Sequence, residues 1–129
     1  MKILVTGDRN WTNEKRMREV ILGIEENLYY YNHPGELDTL FFIHGGARGA
    51  DRLAGKIATE AGWTVKVVTA NWEKYGRAAG PIRNQEMLDM NPDLVIAFHD
   101  DLANSKGTKD MVNRAKKKGV KVILISSKE

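Results

Sequence analysis

The chain has 129 residues, a formal net charge of +3, 42% hydrophobic residues and 29% charged residues. These values fit a single compact domain over residues 1–129, and the absence of cysteine excludes a disulfide framework and a cysteine-based zinc site. We expect neither a metal ion nor a cofactor. No run approaches the roughly 20 apolar residues of a membrane span, so we expect a cytoplasmic protein without a membrane partner.

Strand-like and helical patterns alternate along the whole chain. Apolar residues recur at spacings of three and four in the helical stretches, and Thr12 or Asn13 can cap the first of them. In chain order we predict a strand over 2–6, a helix over about 12–31, a strand over 39–44, a helix over 49–62, a strand over 64–69, a helix over 81–90 with Pro81 in its first turn, a strand over 93–99, a helix over 108–119 and a strand over 120–126. Loops are predicted over 31–38, 70–80 and 100–107.

The five strands separated by helices predict an α/β fold. Such a chain forms a mostly parallel sheet with right-handed crossovers and helices on both faces. We predict a Rossmann-like three-layer α/β/α sandwich with a five-stranded, mostly parallel sheet in the order 3-2-1-4-5. In that order the crossovers diverge between strands 1 and 4, and ligands of open parallel sheets bind at such a switch point, beyond the carboxyl ends of the strands.

The stretch HGGARGAD, residues 44–51, follows the second strand directly. Glycines let the backbone approach a ligand, and the following helix contributes a partial positive charge at its amino end. Gly45, Gly46 and Gly49 therefore form a candidate turn for a phosphate or carboxylate, with Arg48 as a fixed cation. The stretch matches neither the P-loop nor the dinucleotide fingerprint. The alternative is an ordinary strand-to-helix turn with a surface arginine.

A second turn of this kind, NSKGT, follows the fourth strand. Ser105 and Thr108 offer hydroxyls and Gly107 offers access to the backbone, although helix capping explains these residues equally well. Because both turns lie at the same edge of the predicted sheet, they could hold one phosphate from two sides.

Other polar residues follow the first and third strands. We add Gly7, Asp8, Arg9 and Asn84 to the ligand-binding set. Asp8 could accept hydrogen bonds from ribose hydroxyls or pair with a neighbouring arginine. Arg83 is predicted in the first turn of a helix, where its positive charge lies at the positive end of the helix dipole and is unfavourable. An anion bound nearby would offset that cost.

Three aromatic residues fall in or near these loops. A nucleobase could stack on such rings, or the rings could cover the edge of the core. The residues are Trp11, Trp72 and Tyr75.

Four segments of the chain resemble one known family. TGDRNW, IHGGARGADRLA, NWEKYGRAAGPIRNQEML and SKGTKDMVNRA are similar to the YspA-type, cpYpsA-related branch of the SLOG superfamily, also called domain of unknown function 2493. The resemblance extends from about residue 2 to residue 125. The superfamily includes the LOG phosphoribohydrolases and the DNA-processing protein DprA. The resemblance implies a Rossmann-like domain that holds a nucleotide or a nucleotide-derived ligand.

The resemblance also implies roles for single residues. The turns around Gly46 and Gly107 match the two phosphate turns of the superfamily, and Arg83 matches the arginine that LOG enzymes use in cleaving nucleoside 5′-monophosphates. The LOG glutamate that acts on the ribose is replaced by Met111. Asp110 lies one residue early, which turns it about 100° away on a helix. Arg83 and Asp110 are therefore the candidate catalytic residues of a weakened hydrolase motif, with Asp8 as the alternative carboxylate.

Three functions follow from these observations. The first is binding or sensing of a nucleotide or nucleotide-derived ligand. The second is a phosphoribohydrolase-like N-glycosidase acting on nucleoside 5′-monophosphates. The third is nucleic-acid binding as in DprA, which the modest net charge of +3 disfavours. A homo-oligomer is a further expectation, because relatives in the superfamily often pair through helices beside the site.

Overall fold

The computed structural model describes residues 1–30 and 40–128 of the chain. The predicted loop over 31–38 lies outside these residues. The helices and strands in chain order are β1 (Lys2–Gly7), α1 (Glu14–Tyr30), β2 (Phe41–His44), α2 (Ala50–Glu60), β3 (Thr64–Val67), α3 (Trp72–Tyr75), α4 (Ala79–Asp89), β4 (Leu94–Phe98), α5 (Gly107–Lys118) and β5 (Lys121–Ile125).

The five strands form one sheet in the order β3-β2-β1-β4-β5, and every neighbouring pair is parallel. The predicted α/β fold and strand order are thus confirmed. β1 lies between β2 and β4, with Gly7 of β1 opposite Phe98 of β4. The carboxyl ends of β1 and β4 therefore lie side by side at the switch point.

Two hydrophobic clusters hold helices against the two faces of the sheet. One cluster joins α1 and α2 to the first face through residues such as Ile21, Ile57 and Phe98. The other joins α4 and α5 to the opposite face through residues such as Met87 and Met111. β4 is buried along its whole length, because helices cover both of its faces.

Local signals fix the ends of two helices as the sequence predicts. The side chain of Asn13 accepts a hydrogen bond of 3.0 Å from the amide of Arg16 and so caps α1. α5 ends at Gly119, which adopts the left-handed conformation with φ 82°. Among the described residues, none of the helices combines the length and the apolarity that a bilayer span requires.

The segment predicted as a loop over 70–80 contains regular structure. Asn71 accepts a hydrogen bond of 3.1 Å from the amide of Lys74 and starts the short helix α3. A 3-10 turn over Gly76–Ala78 leads into α4, which begins at Ala79. Arg83 is consequently the fifth residue of α4, so the prediction that it lies in the first helical turn is wrong.

Candidate ligand-binding pocket

A pocket of about 360 Å³, the inner pocket, opens at the carboxyl edge of the sheet. Its walls come from the end of β1, the turn before α2, the middle of α4 and the start of α5. The lining residues are 6–10, Ala47, Arg48, Asp51, Arg83, Asn84, Met87, His99 and 105–108. The structure thus brings together segments that are up to about 100 residues apart in the chain, at the switch point where the sequence predicts a ligand.

A second depression of about 540 Å³, the outer hollow, adjoins the inner pocket. It is lined by Arg9, 45–48, Arg52, Thr69, Ala70, Trp72 and Arg83. The two cavities share Arg9, Ala47, Arg48 and Arg83. Those shared residues form the boundary between the two cavities.

Most of the predicted site residues line one of these cavities. Those of the inner pocket are Gly7, Asp8, Arg9, Arg48, Arg83, Asn84, Ser105, Gly107 and Thr108. Gly45 and Gly46 line the outer hollow. Gly49 and Asp110 line neither cavity.

The first turn of α5 presents polar groups to the inner pocket. Thr108 is only 5% exposed and lines the pocket, and its hydroxyl has no hydrogen-bond partner among residues 1–30 and 40–128. Within the same part of the chain, the amides of Gly107 and Thr108 have no acceptor either. A side chain on Gly107 would meet no atom within 4 Å. This turn therefore offers donors and open space to a ligand.

Ser105 serves mainly to cap α5. Its hydroxyl accepts a hydrogen bond of 3.0 Å from the amide of Lys109 and donates one of 2.9 Å to the carbonyl of Leu102. Both functions of the hydroxyl are thus used within the protein, although Ser105 also lines the inner pocket.

The amides of the glycine-rich turn are mostly satisfied within the protein. The carboxylate of Asp51 accepts hydrogen bonds from the amides of Gly45 (3.0 Å) and Ala47 (3.3 Å). The amide of Gly46 donates to Nδ1 of His44 at 3.0 Å. These three amides do not point freely at a ligand, as the sequence reasoning assumed, because the buried Asp51 of α2 accepts two of them and His44 accepts the third.

Asp51 is itself an unusual group. It is 6% exposed, and burial raises its pKa to about 6 against the lowering effects of the two amides and of the nearby Arg83. Its neighbour His44 shows the converse effect, since burial and the charge of Arg83 lower the pKa of the imidazole. A carboxyl group and an imidazole therefore lie buried directly behind the turn.

Arg83 joins α4 to the glycine-rich turn. Its Nη1 donates to the carbonyl of Gly45 at 2.7 Å, and its Nε donates to Oδ1 of Asn84 at 3.2 Å. Nη2 has no acceptor within residues 1–30 and 40–128. Burial lowers the pKa of this guanidinium, Asp51 acts in the opposite direction, and Arg9 lowers the pKa further. Arg83 is thus held rigidly and keeps one free nitrogen.

Three glycines of the predicted site lie in close contact with other parts of the protein. A Cβ at Gly45 would lie 2.6 Å from Cζ of Arg83, and one at Gly7 would lie 2.6 Å from Cβ of Ala50. At Gly49, where φ is +79°, a Cβ would overlap the carbonyls of Asp8 and Arg9. The absence of a side chain at these glycines lets segments of the protein approach one another. The sequence had suggested that it lets the backbone approach a ligand.

Asn84 connects the arginine to the second turn. It is 3% exposed, and its amide nitrogen donates to the carbonyl of Gly107 at 3.2 Å and to Asp110 at 2.9 Å. Because its oxygen accepts from Arg83, this single side chain fixes Arg83 relative to the amino end of α5.

Asp110 faces away from the inner pocket. Its carboxylate accepts a hydrogen bond of 2.8 Å from Nε of Arg114 as well as the bond from Asn84. Asp110 and Arg114 line a separate groove between α4 and α5. Met111, at the place of the LOG glutamate, is fully buried in the second hydrophobic cluster.

The three aromatic residues considered for base stacking differ in their positions. Trp11 is buried and packs edge-on against Phe98 at 5.4 Å between ring centroids. Trp72 is 52% exposed and lines the outer hollow. Tyr75 is exposed, and the ammonium of Lys74 lies 5.0 Å from its ring centroid. Only Trp72 of the three lines either cavity.

Comparison with known proteins agrees with the motifs. Residues 1–75 match the family described as YspA, cpYpsA-related SLOG. The chain is also 32% identical to the Gene 61 protein of Mycobacterium phage D29, with 98% of each chain covered. The chain belongs to the YspA, cpYpsA-related SLOG family.

Two solved structures share the fold of this SLOG-family chain. DNA processing protein A (DprA) from Streptococcus pneumoniae matches with a TM-score of 0.70 and 19% identity, covering 95% of this chain and 49% of that one. TM1055, a structural genomics target, matches with a TM-score of 0.60 and 19% identity, covering 94% of this chain and 71% of that one. The SLOG-family chain thus spans about half of the DprA chain, and these likenesses establish the fold.

Several residues of the SLOG-family pocket were missed by the sequence reasoning. They are Thr6, Asn10, Ala47, Asp51, Met87, His99 and Lys106 in the inner pocket, and Arg52, Thr69 and Ala70 in the outer hollow. The sequence contained a signal for Asp51, because it is the last residue of the glycine-rich stretch HGGARGAD. Within the part of the chain that the structure describes, no three His, Asp or Glu side chains are grouped so that they could hold a metal ion.

Proposed function

We propose that this chain is a binding module for a nucleotide or a nucleotide-derived ligand whose phosphate group sits against the amino end of α5. The observation that carries the proposal is the hydroxyl of Thr108. The residue is 5% exposed, its hydroxyl makes no hydrogen bond with the described residues, and it lines a pocket shared with three arginines. Because no buried side-chain nitrogen or oxygen of the described residues lacks a hydrogen-bond partner, this hydroxyl oxygen must be accessible from the pocket, where it can donate to a phosphate oxygen.

The chemistry of the inner pocket suits a phosphate. The amides of Gly107 and Thr108 and the positive end of the α5 dipole favour a negative charge there. Arg83 contributes a guanidinium nitrogen, and Arg48 and Lys106 contribute further cations to the same walls. Charge-assisted hydrogen bonds of this kind are about twice as strong as neutral ones.

A ribose fits next to the phosphate in this proposal. Asp8 lines the inner pocket and uses one carboxylate oxygen to accept the amide of Asn10 at 2.9 Å. The second oxygen is an acceptor for ribose hydroxyls. This acceptor for ribose hydroxyls would distinguish a nucleotide from inorganic phosphate, which the turn at the amino end of α5 could bind equally well.

The placement of two residues favours binding over N-glycosidic cleavage. Asp110 is engaged by Arg114 and Asn84, and Met111 is buried in the core. The N-glycosidase alternative keeps Arg83 and Asp8 in the inner pocket, but neither Asp110 nor Met111 places a carboxylate there at the position that the LOG motif uses.

The comparisons support the coarser form of the proposal. Membership of the SLOG family, together with the DprA and TM1055 folds, supports a function connected with nucleotides or nucleic acids. One of these neighbours is named as a DNA processing protein, so nucleic-acid binding is the competing function to test.

Isothermal titration calorimetry with AMP tests the proposal directly. Thr108→Val keeps the shape of the side chain and removes the hydroxyl, and we expect it to weaken AMP binding at least about tenfold, because a lost hydrogen bond to a charged group is worth about 1.5–3 kcal/mol. Thr59→Val, at an exposed position of α2 outside both cavities, is the matched control and should bind as the wild type does.

Two further assays separate the competing functions. Release of free adenine from AMP by the wild type, lost in Arg83→Ala, would identify an enzyme. Affinity for single-stranded DNA that falls steeply with salt, without AMP binding, would identify a nucleic-acid-binding protein. Equal AMP affinity of Thr108→Val and wild type would refute the phosphate position proposed here.

A further inference from the structure

The outer hollow differs from the inner pocket in its charge. Its lining includes the four arginines Arg9, Arg48, Arg52 and Arg83 and, within residues 1–30 and 40–128, no acidic residue. The inner pocket, by contrast, has Asp8 and Asp51 in its walls. Four guanidinium groups around one depression repel one another, and a bound anion would offset that repulsion.

The arginines of the outer hollow form no salt bridge with the described residues. In the part of the chain that the structure describes, salt bridges involve Arg18, Lys56 and Arg114, and none involves the four arginines of the hollow. Burial lowers the pKa of Arg83, Asp51 raises it, and Arg9 lowers it by a smaller amount. Asp51 thus partly compensates the charge of Arg83, whereas no carboxylate of the described residues lies within salt-bridge distance of Arg9, Arg48 or Arg52.

Arg52 is held in place by the glycine-rich turn. Its Nε donates to the carbonyl of Gly46 at 2.9 Å, which leaves both terminal nitrogens of the guanidinium for another partner. Arg48 makes only a long contact of 3.5 Å with Asn10. The hollow thus combines two anchored guanidinium groups, those of Arg52 and Arg83, with unused donors on its arginines, an arrangement suited to a phosphate.

An aromatic surface lies beside these cations. Trp72 lines the hollow, and a Cβ at Gly80 would lie 3.4 Å from the edge of its ring. The ring therefore rests on the first turn of α4 while half of the side chain is exposed. An exposed indole supported in this way provides a stacking surface for a nucleobase.

We infer that the outer hollow is a second nucleotide subsite, and that the ligand is a linear dinucleotide with one phosphate in each cavity and its second base on Trp72. The inference rests on the proposed function, because the first phosphate must lie at the amino end of α5. The two cavities adjoin, because they share the lining residues Arg9, Ala47, Arg48 and Arg83. In this inference one ligand occupies both cavities. A mononucleotide would leave the arginines of the hollow without an anion.

The experiment compares AMP with the 5′-phosphorylated dinucleotide pApA by calorimetry on the full chain. We expect pApA to bind at least about tenfold more tightly than AMP, the factor typical of one additional charged hydrogen bond or one stacked base. Arg52→Ala and Trp72→Ala should each weaken pApA binding about tenfold and change AMP binding less than about twofold.

Two variants control for indirect effects. Lys56→Ala removes the same charge one helical turn further along α2, outside both cavities, and should bind pApA as the wild type does. Trp72→Phe keeps an aromatic ring and should retain most of the pApA affinity that Trp72→Ala loses. A loss in Arg52→Ala that Lys56→Ala reproduces would reflect net charge and would overturn the subsite.

The outcomes separate this inference from the proposed function. If AMP binds and pApA binds no more tightly, the outer subsite is wrong and the proposed function stands. If neither binds, the proposed function fails and the inference fails with it. If a twelve-residue oligoadenylate binds more than about tenfold more tightly than pApA, the ligand is a nucleic-acid strand and the dinucleotide assignment is overturned.

Discussion

Replacement of Gly45 by alanine should displace Arg83 without disturbing the backbone. A Cβ at this position would lie 2.6 Å from Cζ of the guanidinium and closer still to Nη1. Gly45 is not one of the glycines with positive φ, so alanine can adopt its backbone conformation. The clash is with the end of a long side chain, which can move away.

The magnitude follows from the bonds that Arg83 would lose. These are the 2.7 Å bond from Nη1 to Gly45 and the 3.2 Å bond from Nε to Asn84. A hydrogen bond to a charged group is worth about 1.5–3 kcal/mol. Two effects offset part of this loss. The guanidinium returns to water, and alanine reduces the entropy of the unfolded chain, which stabilises the fold by about 0.4–1 kcal/mol. We therefore expect Gly45→Ala to lower the free energy of unfolding by about 1–2 kcal/mol.

A double-mutant cycle measured by urea unfolding tests the cause. Arg83→Ala removes the same bonds, so the double variant should be no less stable than Arg83→Ala alone, with a coupling energy of about 1–2 kcal/mol. Gly23→Ala is the control, because a Cβ there meets nothing within 4 Å and alanine favours the α1 helix by up to about 1 kcal/mol. Effects of Gly45→Ala and Arg83→Ala that add within about 0.5 kcal/mol would refute the contact.

Three further predictions concern the residues that support the inner pocket. The pKa of Asp51 is raised from 3.8 to about 6 in the folded protein. The stability that comes from protonated Asp51 is therefore fully present below the unfolded-state pKa of 3.8 and is lost as the pH rises through the folded-state pKa of about 6. The free energy of unfolding of the wild type, relative to Asp51→Asn, should thus fall by about 2–3 kcal/mol between about pH 4 and pH 7; parallel pH profiles would contradict this. Ser105→Ala removes the cap of α5 and should cost about 1 kcal/mol in thermal unfolding, whereas an unchanged melting temperature would mean that the cap is not formed. Asn84→Ala removes the side-chain hydrogen bonds of Asn84 with Arg83, Gly107 and Asp110 and should cost about 2–3 kcal/mol; a cost below about 0.5 kcal/mol, measured by urea unfolding, would show that these bonds are weak.

The sequence by itself determined the architecture, because its signals are local. Apolar spacing and β-rich runs gave five strands and the main helices, and the alternation of the two predicted the parallel sheet with the order β3-β2-β1-β4-β5. Caps at Asn13 and Gly119 acted over a few residues. The same alternation located the glycine-rich turn before α2 and the turn at Gly107 at one edge of the sheet, beside the switch point.

Only the tertiary structure decided what each residue of that edge does. The carbonyl of Gly45 meets Arg83 across 38 positions of sequence, and no local pattern encodes such a contact. The carboxylate of Asp51 fills the glycine-rich turn that the sequence assigned to a ligand, while Thr108 keeps its hydroxyl for the pocket. These differences arise because hydrogen-bond donors are satisfied by whichever group the fold brings within about 3 Å, and that neighbour is fixed by packing between distant segments.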